Sequence, residues 1–438
     1  MAQTFYVAWD ENHAYGNNSD GWTDPGAGTD IDPFKKLKTA AEAINNLPEN
    51  DRPGSIIKAK GVFREYNTLL SSTFTAEGQP DDPIIIEEWD EPFVIDGGLR
   101  YPTGLITYDR AGTQFLLAIR GNHWLVRNFE IRHGRSAQGL YFRRAVTNRV
   151  AGCWVDNMHI HHISQGGVHF RSSTGEYDNI VENCYLHDNH DIQYGGHNAD
   201  GIKDPGCRGL IVRNNVFLRN ADDSLDLISP PSGDFNREVY GNVFLYPGYF
   251  DGGYWTKAWY IALHGTDVTE SYFDSPEIGL YMVRSDVIRA ATGLGGSGTH
   301  IKDGPGASYI KNLFGKSKTH TLAPTEERIQ AQFRNTIFDN NTCAGAGTVF
   351  LRGTKAIVRN NILHNTNRVI GNGATELTNN WQVPNGNPPV DAHFKSVVLP
   401  TKANNAIMET FDPDATPIHL SVDDFHAALY YHLDEAYT

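Results

Sequence analysis

The sequence predicts an all-β chain wound as a right-handed parallel β-helix, with an N-terminal capping helix and long loop insertions. Two observations carry that expectation. Short β-prone runs recur along the chain, each broken by asparagine: WLVRNFEIRHG, CWVDNMHIHHI, NIVENCYLHDN, LIVRNNVFLRN, EVYGNVFLYPG, SYIKNLFGKS, QFRNTIFDNN, AIVRNNILHN and ELTNNWQV. Taken as equivalent, Asn128, Asn157, Asn183, Asn214, Asn242, Asn312, Asn335, Asn360 and Asn379 fall 19 to 31 residues apart, with one gap of 70. That period suits one coil of a solenoid, in which strand, tight turn and strand repeat. Asparagine suits the turn because it tolerates a left-handed backbone and its amide can bond neighbouring backbone groups or the next coil's amide. Alternation in the strands aims Val126, Phe129 and Ile131 into the coil. A leucine-rich horseshoe lacks its leucine pattern here, and a propeller blade needs about 40 residues.

The flanking elements follow in order. Residues 33–47, PFKKLKTAAEAINNL, read as an amphipathic helix with Asp32 as N-cap and Pro33 at the first position. Its apolar face, Phe34, Leu37, Ala40, Ala41 and Ile44, would cover the open end of the coil stack. Strands resume at SIIKAKG and PIIIEEWDEPFVIDGG. The organisation expected is one domain over residues 1–438. Residues 1–50 form the initial strand and cap, 51–390 the coils, and 391–438 a C-terminal tail ending in a short helix. The 70-residue gap is expected to hold at least one extra coil plus an excursion over about 246–300. Tyr254, Trp255 and Trp259 in that excursion either stack on sugar rings or pack the loop against the coils.

Composition narrows the classes of function. The 438 residues carry 37 Lys+Arg and 52 Asp+Glu, a net charge of −15, which opposes nonspecific binding to nucleic acid or an anionic membrane. No run approaches the ~18 apolar residues of a membrane span. The first residues, MAQTFYVAWDENHAYGNN, lack the basic region and apolar core of a secretory signal. Cys153, Cys184, Cys207 and Cys343 show no CxxC spacing and read as small buried hydrophobes.

Chemistry concentrates in four carboxylates: Asp200 in HNADGIKD, and Asp222, Asp223 and Asp226 in LRNADDSLDLI. A separation of 22 residues sets Asp200 and Asp222 on adjacent coils. As turn residues they would be solvated; as a patch they would repel one another unless a cation sits among them. An oxygen-only set suits a hard ion, and Ca2+ tolerates irregular carboxylate geometry. Seven histidines lie between residues 159 and 197: His159, His161, His162, His169, His187, His190 and His197. Their spacing favours groove lining over metal ligation, with His197, three residues before Asp200, expected to face substrate. Arg208 is a candidate carboxylate-binding group. Arg213 shares a repeated slot with Arg127 and Arg359, which favours a structural role.

The ADG segment followed one coil later by DDSLD resembles polysaccharide lyase family 9, parallel β-helix enzymes that cleave pectic uronan chains. The resemblance covers residues 120–365. It implies Ca2+ held by Asp200, Asp222, Asp223 and Asp226, and a lysine base. In GGSGTHIKDGPGASYIKNLFG, the stretch that resembles the family's glycine-rich lysine segment, that base is Lys302; Lys203, just after ADGI, is the alternative. Two departures stand out: Ser224 replaces a frequent glycine, and Lys302 lies 76 residues after Asp226. The implied reaction is β-elimination, in which a neutral lysine removes the C5 proton of galacturonate while the cation neutralises the developing charge. The implied partner is an acidic plant cell-wall polysaccharide, homogalacturonan or rhamnogalacturonan I. A monomer is expected, secreted, periplasmic or on the cell surface. Substrate would touch His197, Lys203, Arg208, Tyr254, Trp255 and Trp259.

Two other readings use the same residues. An inverting hydrolase of the polygalacturonase type would need a pair of carboxylates about 6.5–9.5 Å apart with water between them. Asp200, Asp222 and Asp223 mimic that arrangement, although the Gly-His-Gly and Arg-Ile-Lys segments of such enzymes are missing and Asp226 has no task. A noncatalytic carbohydrate-binding β-helix needs none of this chemistry, because the fold alone decides no activity.

Overall fold

The computed structural model describes residues 2–9, 26–63, 74–96, 114–134, 137–143, 150–163, 165–171, 175–176, 178–187, 189, 199–218, 220, 222–227, 236–245, 301–302, 307–314, 327–332, 337–339, 341–344, 348–359, 361–364, 368–378 and 381–383. They form a parallel β-helix with three strands per coil. One coil runs through Trp154–Asp156, His159–Ile163 and Gly166–Phe170; the next through Ile180–Glu182, Tyr185–His187 and Asp200–Lys203. Each strand pairs in parallel with its counterpart one coil on, so three faces run along the stack.

Each face contributes a column of inward side chains. On the first, Val126, Val155, Val181, Val212 and Val239 follow one another in register. The second stacks Ile131, Ile160, Leu186, Phe217 and Phe244. The third stacks Leu117, Leu140, Val168, Ile202, Leu225 and Ile301. All are fully buried in one apolar core. Phe129 is buried with them, as its position in the sequence predicts.

The asparagine repeat resolves into two adjacent positions with different physical tasks. Asn128, Asn157, Asn183 and Asn214 carry φ of +62°, +50°, +55° and +55° at the bend between the first and second strands. Gly241 and Lys311 take the same place in later coils, with φ of +65° and +55°. Asn242 and Asn312 are therefore not equivalent to Asn128. They occupy the next, inward position in a buried ladder with Asn215, Asn341 and Asn361, in which the amide nitrogens of Asn215, Asn242, Asn312 and Asn341 each donate to the next side-chain oxygen at 3.0–3.2 Å. Every amide also donates to a carbonyl one coil earlier, as Asn242 does to Val212 O at 2.9 Å. Asn341 supplies the ladder amide of its coil, six positions beyond Asn335, which with Asn360 and Asn379 lies outside the described residues.

The capping helix forms, but over Leu37–Asn46. Phe34 is drawn into a bridge with Val7, so the chain enters the helix four residues later than Pro33 predicts, and Lys36 at the N-cap makes no side-chain cap. Asp32 instead closes the preceding turn, accepting the Ala27 N–H at 3.1 Å. Leu37, Ala40, Ala41 and Ile44 are buried against the core. The 70-residue gap inserts no extra coil into the stack. Arg237–Tyr240 pairs directly with Ala307–Ile310, Val243–Leu245 with Leu313–Phe314, and Leu225–Asp226 with Ile301–Lys302. Residues 246–300 thus leave a single coil between its second and third strands. Those residues and the tail from 384 on lie outside the described residues.

The repeated arginine slot is structural. Arg127, Arg213 and Arg359 pair with Glu87, Glu182 and Asp339, each the in-register acid of the preceding coil. Cys153, Cys184 and Cys207 are buried free thiols; burial pushes Cys153 up to about 12 and Cys184 higher still.

Candidate functional site

The third face brings the acids together. Asp200–Lys203 lies on the segment 222–226 of the next coil, with Gly201 N–H donating to Asp223 O at 2.9 Å, Ile202 to Ser224 O at 3.0 Å and Asp204 to Asp226 O at 2.8 Å. Gly201 permits this approach: a Cβ there would come within 2.5 Å of Ser224 O and 2.7 Å of the Phe217 ring. The glycine of ADG is therefore a packing requirement, and Ser224 is fully buried above it.

Carboxylate oxygens of Asp200, Asp222 and Asp223 lie within 4.8 Å of one another, all on buried residues. Asp200 Oδ1 also accepts the Asp223 N–H at 3.3 Å. Asp226 is drawn away toward Lys203, whose ammonium contacts Asp200 Oδ2 at 3.0 Å and Asp226 Oδ2 at 3.1 Å. Three acids thus form the group and the fourth balances the lysine.

Proton affinities follow from this packing. Burial pushes Asp200 well above the usual carboxylate range. Lys203 opposes the shift, while Asp222, Asp226 and Asp223 add to it. Burial alone would lower Lys203, yet the two aspartates beside it raise it above an ordinary lysine. Lys203 is consequently a fixed cation at neutral pH, unsuited to accepting a carbon-bound proton.

In backbone register on adjacent coils of this face, Tyr141, His169, Lys203, Asp226 and Lys302 succeed one another. The adjacent-coil pairing explains how Lys302 can lie far from Asp226 in sequence and opposite it in space. The Lys302 side chain lies outside the described residues, as do His197, Tyr254, Trp255 and Trp259. Arg208 is half-buried at the corner after this face, in a short strand paired with Gly175–Glu176.

Sequence reasoning named His169 only as one of seven histidines. Its ring is neutral, pushed down to about 3 by burial, by Lys203 and by Arg171, and it sits edge-on to Tyr141 at 5.2 Å. The usable signal was the alignment of GVHF with DGIK, one coil apart. Arg237 and Asp204 were missed altogether. They form a fully buried ion pair at 2.8 Å. Arg237 also donates to Cys207 O at 2.9 Å and Leu227 O at 3.3 Å, while Asp204 Oδ1 accepts the N–H groups of Gly206 and Cys207. The pair ties down both segments that carry the acids, immediately beyond Lys203 and Asp226.

Residues 116–246 match the family model described as a right-handed beta helix region, which gives the coil its hand. No curated protein matches the chain. Among solved structures, an alginate lyase from Paenibacillus sp. str. FPU-7 is similar at 17% identity and TM-score 0.44, with 80% of this chain and 94% of that one covered. A rhamnogalacturonan lyase is similar at 12% identity and TM-score 0.46, covering 88% and 90%. A surface adhesin of Streptococcus pneumoniae is similar at 9% identity and TM-score 0.36, covering 77% and 89%. Likeness at this level assigns no activity.

Proposed function

We propose that the protein is a carbohydrate-active enzyme that hydrolyses glycosidic bonds in an acidic, galacturonate-containing polysaccharide. The observation that carries this reading is the buried Asp200–Asp222–Asp223 group, in which one carboxyl keeps its proton beyond the usual range. Asp200, so protonated, donates to the departing glycosidic oxygen. Asp222 or Asp223 takes a proton from the attacking water. Nearest oxygens no more than 4.8 Å apart lie closer than the roughly 6.5–9.5 Å of an ordinary inverting pair, yet one water spans that gap through two ordinary hydrogen bonds. Lys203 pairs with both Asp200 and Asp226 and keeps a fixed positive charge beside the group.

Calcium-dependent elimination remains the second reading, favoured by the register that sets Lys302 opposite Asp226. The oxygen-only trio fits a hard cation, and Asp200, Asp222 and Asp223 would hold Ca2+, which when bound would neutralise a uronate carboxylate. Lys203 weighs against it, because its ammonium already occupies the space between Asp200 and Asp226.

Product analysis separates the two. The protein is incubated with polygalacturonate and with rhamnogalacturonan, with and without chelator. Hydrolysis releases reducing ends without ultraviolet absorbance and survives chelation. Absorbing, unsaturated products lost on chelation would establish elimination instead. Neither product from any acidic glycan would remove the enzyme reading.

A further inference from the structure

We propose that His159, His161 and His187 form a second site, on the middle face of the coil, for a divalent transition ion of the zinc class. His159 and His161 project from the same side of the strand His159–Ile163, two residues apart, with buried Ile160 between them pointing inward. His187 lies in register with His161 on the following coil, and Tyr185 in register with His159. One ring nitrogen from each histidine falls within 4.8 Å of the others.

The ring contacts go beyond stacking. Stacking accounts for His161 on His187, with centroids 4.8 Å apart and planes at 7°, and for His159 on Tyr185. It does not require the Nε2 atoms of His159 and His187 to meet, yet they stand 2.7 Å apart, one donating and the other accepting. Two imidazole nitrogens on a tetrahedral zinc-class ion are about 3.3 Å apart, given bonds near 2.0–2.1 Å. A small ring rotation opens that gap. The proton between the nitrogens moves to the other nitrogen of its own ring, so both rings stay neutral and both Nε2 lone pairs face the ion.

The surroundings suit such a site. His161 Nε2 lies 3.0 Å from Glu130 Oε1, the carboxylate partner that fixes the tautomer and orientation of a metal-bound histidine and leaves a lone pair on Nδ1. Glu130 is in turn held by Arg132, itself paired with Asp96. On the far side, the next coil places buried Val216 and Leu218 in register with Tyr185 and His187. The donors are imidazoles, which select zinc, cobalt, nickel or copper over calcium and magnesium. Three protein ligands leave a fourth position for water or a ligand. The site uses none of the residues of the aspartate group and stands independently of the proposed hydrolysis.

Chelator-stripped protein without a histidine tag is titrated with Co2+, followed by visible d–d absorption, and the bound ion is then displaced with Zn2+. One equivalent is expected to saturate the spectrum. His159→Gln and His187→Gln, checked for cooperative melting, should each weaken binding at least about tenfold, and Glu130→Gln by about tenfold. Asp223→Asn should leave Co2+ affinity unchanged. No tetrahedral spectrum, affinity that survives both histidine changes, or affinity that falls with Asp223→Asn would overturn the site.

Discussion

Replacing Asp200 with asparagine should stabilise the folded chain as pH rises, and the size of the effect follows from burial. The folded state raises this carboxyl well above 3.8, chiefly through burial, with Asp222, Asp226 and Asp223 adding repulsion. A group whose folded value is raised contributes stability that is complete below its unfolded value. That contribution is lost as pH climbs toward the folded one. Wild type therefore loses about 1.4 kcal/mol per pH unit through Asp200 alone, from near pH 4 until the folded value is passed. Asparagine has no proton to lose, keeps an acceptor for the Asp223 N–H, and leaves Lys203 paired with Asp226. The stability gap between variant and wild type should thus open from about zero, widen with that slope, and then level off. Urea unfolding at half-unit pH intervals measures it, and the plateau reports where Asp200 titrates in the folded protein. A gap independent of pH, or a variant that grows less stable relative to wild type toward neutrality, would show that Lys203 keeps Asp200 ionised. Its role as proton donor would then be refuted, whatever the activity measurements say.

The remaining predictions address catalysis and the frame. Asp200→Asn, Asp222→Asn and Asp223→Asn, assayed by release of reducing ends, should identify the acid and base through rate losses of about 10²- to 10⁴-fold for whichever residues transfer protons; normal rates in all three would remove the site. Lys203→Met should weaken binding of an acidic oligosaccharide without producing the pH–rate shift of a lost base. Arg237→Met should cost about 3–5 kcal/mol in urea unfolding by leaving Asp204 buried without its cation, and a near-wild-type midpoint would contradict that assignment. Asn242→Ala removes one rung of the amide ladder and leaves the Val212 carbonyl without that donor, at an expected cost of about 3 kcal/mol in the same assay.

The fold was legible because its repeat is long, regular and chemically specific, but the repeat also concealed a distinction. Asparagine serves the bend through its tolerance of positive φ and serves the ladder through its amide, and these needs fall on adjacent residues. In NN pairs such as Asn214–Asn215 both are met at once. Where one need is met otherwise, as by Gly241 or Lys311 at the bend, a reading aligned on asparagine slips by one position. The length of the gap after Asn242 misled for a related reason. Chain length between repeats counts residues, whereas stacking depends on which strands pair, and the strands on either side of residues 246–300 pair directly with the coil that follows.

The aspartates were legible for the same reason as the coil: a spacing of one turn becomes adjacency in space. The role of Lys203 was not. A lysine three residues after an aspartate reads equally well as a base, a substrate clamp or a counter-ion, because sequence gives its neighbour along the strand but not its neighbour across it. Pairing of the strands supplies that missing acid, since Lys203 stands in register with Asp226 and spans to Asp200 as well. With two carboxylates on one ammonium, the proton stays on the lysine. Lys203 offsets part of the charge on Asp200 and Asp226, while burial and repulsion from Asp222, Asp226 and Asp223 favour either a retained proton on Asp200 or recruited positive charge. Retention makes Asp200 a proton donor, and recruitment makes the trio a cation site. The pH dependence of Asp200→Asn distinguishes them directly, because only a retained proton makes the variant's advantage grow with pH.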